Sequence, residues 1–373
     1  MTNIKECNKI NTNKKVGIFT LPLGTNYGGV LQAYALLKYL KKIGYDAYFI
    51  NRRWDNDRTD ILYKFQKWFY RNVLAKNFIG FIDDHIQPST FEMTSQNDIM
   101  QINEMNFDAV IVGSDQVWRV ENTSGVGNNF FLDFIKDNNI KKLSYAASFG
   151  IDDINCSSSQ LKEINSLIDD FDAVSVREES GVDICKNKFN ISAVRLLDPT
   201  MLLEKSDYLD LVNEEVKFDN KLLTTYVLDK TDERKKIINK ISNKKDLKIN
   251  PVNTELKSFD IKNLLLNIDK IILPSIEQWI KGFSEADFIV TDSFHGTLFS
   301  ILFNKQFVSI GNKRRGLTRF KSILKIFDLE DRLILSSDDL NDDLLNREID
   351  YNRINKIINK EREKSFNFLK KNI

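Results

Sequence analysis

Cysteine and histidine are scarce in this chain: of 373 residues, three are cysteine and two are histidine. Cys7, Cys156 and Cys185 lie far apart, are odd in number and lack a C-x-x-C spacing. This excludes a disulfide framework and a cysteine zinc site, and leads us to expect reduced thiols in a cytosolic protein. Five prolines and 15 glycines are too few for a collagen-like or low-complexity chain, and 42% hydrophobic residues exclude a wholly disordered one. Neither sign of charge dominates: 54 Lys+Arg against 53 Asp+Glu leave +1. That balance argues against a nucleic-acid binder working by broad phosphate neutralisation, so no nucleic-acid partner is expected. No apolar run approaches the roughly 20 residues needed to cross a bilayer. The polar stretch Met1 to Lys15 lacks the apolar core of a signal peptide. A soluble, cytoplasmic protein is the expectation.

What is present is an alternation of short apolar runs with helical patterns, the signature of strands and crossover helices around parallel sheets. Val16 to Phe19 reads as the first strand. Val30, Ala33, Leu37, Leu40 and Ile43 then recur at helical spacing until Gly44 stops them. Further strands are expected at 47–50, 109–112, 143–146, 173–176, 194–197, 222–228, 271–273, 288–290 and 307–310. The charged, Asn-rich stretch from Glu204 to Asn220 is the best boundary. The reading is α/β with two domains, 15–205 and 218–335. A tail at 345–373 carries Tyr351, Ile354 and Ile358 on one helical face, and is expected to pack back on the first domain.

Ligands of open parallel sheets bind outside the carboxyl ends of the strands, and every unusual polar or glycine cluster here falls at such a position. The sharpest is Thr291-Asp292-Ser293-Phe294-His295-Gly296-Thr297, where a strand runs into a helix expected over 297–303. A helix start is an anion site, Gly296 allows close approach, and His295 beside it can hold a proton; a histidine merely packed at a strand end is the alternative. The turn Gly24 to Gly29 fits neither G-x-G-x-x-G nor a P-loop. Asn26 and Tyr27 offer hydrogen bonds suited to a sugar, or the turn is simply tight. Asp115, Gln116 and Trp118 resemble a carbohydrate platform or form a bland loop with a core tryptophan. Arg177 is placed to grip a carboxylate or phosphate, or to pair with a neighbouring acid. Arg315 and Arg319 add positive charge after the last strand. Residues 60–81 combine seven aromatic with four basic side chains, either a helix burying its rings or an amphipathic contact with an anionic membrane. No clustered His, Cys or carboxylate set calls for a metal.

Together these segments resemble the polysaccharide pyruvyl transferase family. The likeness rests on Asn26-Tyr-Gly-Gly-Val-Leu-Gln-Ala-Tyr-Ala-Leu36, Gly113 to Trp118, Tyr145 to Gly150, Ser175 to Ser180, Asp198-Pro199-Thr200, Thr291 to Thr297 and the stretch Arg315 to Arg332. It spans about Lys15 to Arg332 and is specific in order and spacing. The resemblance implies two Rossmann-like domains facing a cleft, a glycosyltransferase-B-like architecture. It also implies transfer of a pyruvyl group from phosphoenolpyruvate to a sugar as a ketal. On that basis His295 is the expected general acid and Asp115 a base. Arg177, Ser293, Gly296, Thr297, Arg315 and Arg319 are expected on the donor, and Asn26, Tyr27, Gly28, Gln116 and Trp118 on the acceptor. No cofactor is expected beyond phosphoenolpyruvate as co-substrate. The acceptor would be a saccharide of a surface polysaccharide or its precursor, and a lipid-linked one would place the protein peripherally on the inner face of the cytoplasmic membrane. Better-understood branches carry Arg-Leu-His where this chain has Ser293-Phe294-His295, so the histidine carries over and the arginine does not. A glycosyltransferase using a nucleotide-sugar and a non-catalytic saccharide-binding module are the alternatives.

Overall fold

The computed structural model describes residues 12–54, 60–123, 126–212, 221–253, 272–312 and 316–373. The chain divides into two compact units. One comprises Met1–Asp57, Asp84–Leu203 and Ile358–Ile373; the other comprises Arg58–Asp83 and Glu204–Ile357. The segment Arg58–Asp83, read above within the N-terminal domain, thus belongs with the second unit.

The first unit is built on strands β1 (Lys15–Phe19), β2 (Asp46–Phe49), β3 (Ala109–Val112) and β4 (Lys141–Ser144), in the order β2-β1-β3-β4 with every pairing parallel. The strands β5 (Ser175–Val176) and β6 (Val194–Arg195) pair with each other in parallel. Parallel bridges Leu143↔Ala173 and Ala147↔Val176 carry the ladder from β4 onto β5. The Ala-Val-Ile-Val run of β3 is buried throughout, as a central parallel strand covered on both faces must be. Helix Tyr27–Ile43 crosses from β1 to β2 and buries most of its length. It ends at Gly44, whose φ of 108° lets its N–H reach the carbonyls of Leu40 and Lys41, a left-handed cap that glycine adopts without a Cβ penalty.

The second unit repeats the plan. Strands β7 (Leu222–Tyr226), β8 (Lys248–Pro251), β9 (Phe288–Thr291), β10 (Gln306–Ile310) and β11 (Leu333–Ile334) form a parallel sheet in the order β11-β10-β9-β7-β8. An aromatic cluster fills it: Trp279 lies edge-on to Tyr226 (5.3 Å between centroids) and Phe299 (4.8 Å), and Tyr208 meets Phe299 at 5.0 Å. Burying each such ring stabilises the fold by about 1.5–3 kcal/mol. Helix Ile276–Glu285 is started by a capping box of Ser275 and Gln278.

In both sheets the first strand of the unit lies between the second and third, so the chain reverses its direction of travel across the sheet there. That is a topological switch point, where the loops leaving two neighbouring strands diverge.

The strand pattern read from the sequence misses β8 and β11, the two edges of the second sheet. Both are short, and β8 has no buried residue, so neither writes an apolar run. A strand was expected at 271–273; residue 271 lies outside the described residues, and Ile272 and Leu273 are not in a strand. The last helix runs Tyr351–Asn372. Its opening turns belong to the second unit, where Arg353 bonds the Phe327 carbonyl (2.9 Å). From Ile358 it belongs to the first, where Glu361 pairs with Arg195 (2.6 Å) and Arg362 donates to the Met201 carbonyl (2.7 Å).

Candidate functional site

At the carboxyl end of β9, Asp292 is almost completely buried and acts as a knot between loops. Its Oδ1 accepts the Leu228 N–H (2.7 Å); its Oδ2 accepts the Asp229 N–H (3.1 Å) and Arg234 Nε (2.9 Å). These donors sit on the segment after β7, so Asp292 closes the switch point of this sheet. Burial raises the Asp292 carboxyl above its usual range, against the backbone donors and Arg234. Arg234 also faces Asp229 at 3.8 Å, and the side-chain amide of Asn312, after β10, donates to Asp229. Arg234 and Asp229 were not singled out in the sequence. A carboxylate at a buried strand end requires a cation partner, and that requirement was the available signal.

Helix Phe294–Leu302 begins immediately after this knot, three residues earlier than the spacing suggested. Ser293 is its N-cap: its Oγ accepts the Gly296 N–H at 3.4 Å, and its N–H reaches Thr291 Oγ1 at 3.1 Å. Ser293 therefore does structural work at the helix start. His295 lies in the first turn and is buried. Gly296 is required by contact, since a Cβ there would meet Thr291 Oγ1 at 2.1 Å, and that hydroxyl is fixed by donating to the Tyr226 carbonyl at 2.7 Å. Thr297 turns inward to Ser309 Oγ (2.7 Å) and the Ser293 carbonyl (3.2 Å), tying helix to β10. Thr297 is thus part of the packing, not a donor-facing group as expected. Arg319 stacks its guanidinium over the Phe294 ring at 5.7 Å, and Phe294 meets His295 edge-on. Arg319, Phe294 and His295 consequently form one group at this helix start. Arg315 lies outside the described residues.

In the first unit the expected site residues have a different fate. Arg177 is buried and its NH1 pairs with Asp198 Oδ2 at 2.8 Å; Asp115 and Glu178 follow at 3.8 Å each. Burial opposes the cation, and Asp198, Glu178 and Asp115 more than offset it, leaving its pKa raised. Asp198 also accepts from Ser114 Oγ (3.1 Å) and from the N–H and hydroxyl of Thr200 (3.0 and 2.8 Å). Glu178 accepts from Ser148 Oγ (2.8 Å) and the Gly150 N–H (3.0 Å). Four of the sequence motifs therefore converge on one buried network that locks the ends of β3 to β6. This corrects two expectations: Arg177 grips Asp198 in place of a donor, and Asp115, at φ 73° and facing Arg177, is enclosed as a base.

Trp118 is corrected as well. It is 1% exposed, stacked on Phe131 at 5.7 Å and packed on Phe149, with its indole N–H given to the Phe130 carbonyl at 2.9 Å. It has no face for a sugar. Gln116 stays half-buried and accepts from Arg119 at 2.9 Å, while its side chain fills the space beside Gly150, which has φ 72°. Asn26 is exposed at the N-cap of helix Tyr27–Ile43 without a side-chain cap bond, whereas Tyr27 and Gly28 are buried in its first turn. At the switch point of this sheet Gln32 Nε2 donates to Thr20 Oγ1 (3.0 Å), which donates to the Ser114 carbonyl (3.0 Å). Among the described residues no group of three or more His, Cys, Asp or Glu is arranged to hold a metal, and no helix is long and apolar enough to cross a membrane.

Two parallel sheets with switch points, each flanked by helices, define a pair of Rossmann-like units of the glycosyltransferase-B class. Solved structures agree on the fold. A Listeria monocytogenes protein described as a UDP-N-acetylglucosamine 2-epimerase superposes with a TM-score of 0.55 at 11% identity, over 95% of this chain and 94% of its own. A glycosyltransferase from Rickettsia africae gives 0.51 at 13% identity, over 96% and 94%. None of the curated proteins matches the sequence. The sequence profile of the family described as polysaccharide pyruvyl transferase matches residues 26–314, most of the chain, and the protein belongs to that family.

Proposed function

We propose that the protein transfers a pyruvyl group from phosphoenolpyruvate to a saccharide of a surface polysaccharide or its precursor, as a cyclic ketal. The observation that carries this reading is His295 in the first turn of helix Phe294–Leu302, at the switch point of the second sheet, grouped with the stacked cation of Arg319. The donor bears a carboxylate and a phosphate. The positive end of the helix and Arg319 supply attraction for both. His295, as imidazolium, gives its proton to the methylene carbon while a sugar hydroxyl oxygen bonds to C2 and passes its proton to water. A second hydroxyl then displaces phosphate at C2, its proton leaving with the phosphate, and closes the ring. Proton transfer by a positioned side chain is worth roughly 10²–10⁴ in rate.

Titration calorimetry with phosphoenolpyruvate and a panel of nucleotide-sugars tests the reading. We expect saturable phosphoenolpyruvate binding, weakened about tenfold or more in Arg319→Ala. We expect retained donor binding and lost turnover in His295→Gln. Binding of a nucleotide-sugar with none of phosphoenolpyruvate would replace this function with glycosyl transfer. Full turnover by His295→Gln would remove the histidine from the chemistry.

A further inference from the structure

Helix Ile61–Phe69 is fully formed yet has no buried residue. Asp60 caps it by accepting the Tyr63 N–H at 2.9 Å, and it continues into a π-turn, Tyr70–Leu74. Beyond that turn the chain is anchored: Leu74, Phe78, Phe81 and Ile82 are buried, the Leu74 carbonyl accepts the Leu273 N–H, and Asn77 donates to the Leu273 carbonyl at 2.9 Å. The rings of 60–81 therefore divide. Those of helix Lys76–His85 are buried in the second unit, while Ile61, Leu62, Phe65 and Trp68 are 86, 61, 60 and 54% exposed. At 100° per residue, Ile61, Leu62, Phe65, Trp68 and Phe69 fall within an arc of about 120°, and Lys64 and Lys67 follow its border on one side.

We infer that this helix lies in the interface of an anionic phospholipid bilayer, its apolar arc at acyl-chain depth and its lysines among the headgroups. Charge complementarity selects that occupant. From Ile61 to Ile82 the chain has four basic residues, Lys64, Lys67, Arg71 and Lys76, and no acidic one, within a protein of net charge only +1. An interfacial helix has this form: a short apolar face with aromatic residues, bordered by Lys and Arg that meet lipid phosphates. Trp68 and Tyr70 are the ring types that settle at headgroup level. A second copy of the chain is a poorer occupant, because pairing the face with itself brings Lys64, Lys67 and Arg71 of both copies together with no carboxylate in the segment to offset them. The inference is independent of the reaction carried out elsewhere in the molecule.

The test is flotation of the full-length protein with vesicles of phosphatidylcholine alone or with about one-third phosphatidylglycerol, for wild type, Phe65→Ser/Trp68→Ser and Lys64→Glu/Lys67→Glu. Wild type should float with the anionic vesicles and not with the neutral ones, and less as salt rises. Each double variant should lose tenfold or more of that partition with its melting temperature kept, since none of the four side chains is buried. Absence of wild-type binding to anionic vesicles, or equal binding by the Phe65→Ser/Trp68→Ser variant, would overturn the inference. So would a wild-type dimer in sedimentation velocity that the same variant dissolves, which would assign the face to a second copy.

Discussion

The two units share a strand order and place their polar residues at the same carboxyl edge, yet they use them in opposite ways. In the first, Arg177, Asp198, Glu178 and Asp115 are sealed, with side chains no more than 7% exposed. In the second, Asp292 is just as buried, but its partners Arg234 and Asp229 reach 13 and 32% exposure, and the helix start carrying His295 stands next to them. One cluster is a closed clamp that holds strands, and the other is a clamp open to solvent on the side of Arg234 and Asp229. A polar motif after a buried strand therefore does not by itself mark a ligand site. The cost of burying charge forces such motifs to satisfy one another wherever water is excluded.

The contrast breaks most sharply at Arg177. Removing one partner of a buried ion pair costs about 3–5 kcal/mol, because the remaining charges stay enclosed. Arg177→Ala and Asp198→Ala should each lower the unfolding free energy by that amount, whereas Arg234→Ala, whose partner is also held by two backbone donors, should cost about 1–2 kcal/mol. Equal losses in urea melts of the three variants would erase the distinction. Gly296→Ala comes next. Its Cβ must displace a Thr291 hydroxyl already committed to the Tyr226 carbonyl, so a loss of about 1–3 kcal/mol is expected, and Gly296→Ala/Thr291→Ser should not recover it, since the hydroxyl remains. Recovery in the double variant would point to the Thr291 methyl. The smallest effect lies away from both clusters. Burial, with Lys205 adding to it, pushes the Lys305 ammonium down to about 8. The folded state therefore holds this proton less tightly than the unfolded chain, so stability is lost as pH falls from the ordinary lysine range through about 8. Lys305→Met should melt a few degrees above wild type at pH 7, with the gap closing above about pH 10. A constant gap across that range would show that packing, not titration, separates the two.

How much of this was readable in the sequence follows from what each element writes there. Central strands such as Ala109–Val112 and Phe288–Thr291 are buried on both faces and appear as unbroken apolar runs. Edge strands such as Lys248–Pro251 take their place from hydrogen bonds alone, which leave no pattern in side chains. At the site, the helix start after β9 was legible because glycine and histidine together at a strand end are unusual. Trp118 and Arg177 were misplaced because a residue that fills a core and one that faces a ligand can share a neighbourhood in sequence. Only the partners Phe131 and Asp198, 13 and 21 positions away, separate the cases.

The strand that the last helix shares its neighbourhood with has a bearing on how the protein is made. The first unit includes residues 358–373, and Arg195, Met201 and Lys141 find their partners at Glu361, Arg362 and Asn372. About 150 residues are synthesised between Leu203 and that helix, some 8–30 s at ordinary ribosomal rates. The usual vectorial order, in which an N-terminal domain is finished before the next emerges, is closed to this chain. Its first unit is completed only after the second has been translated.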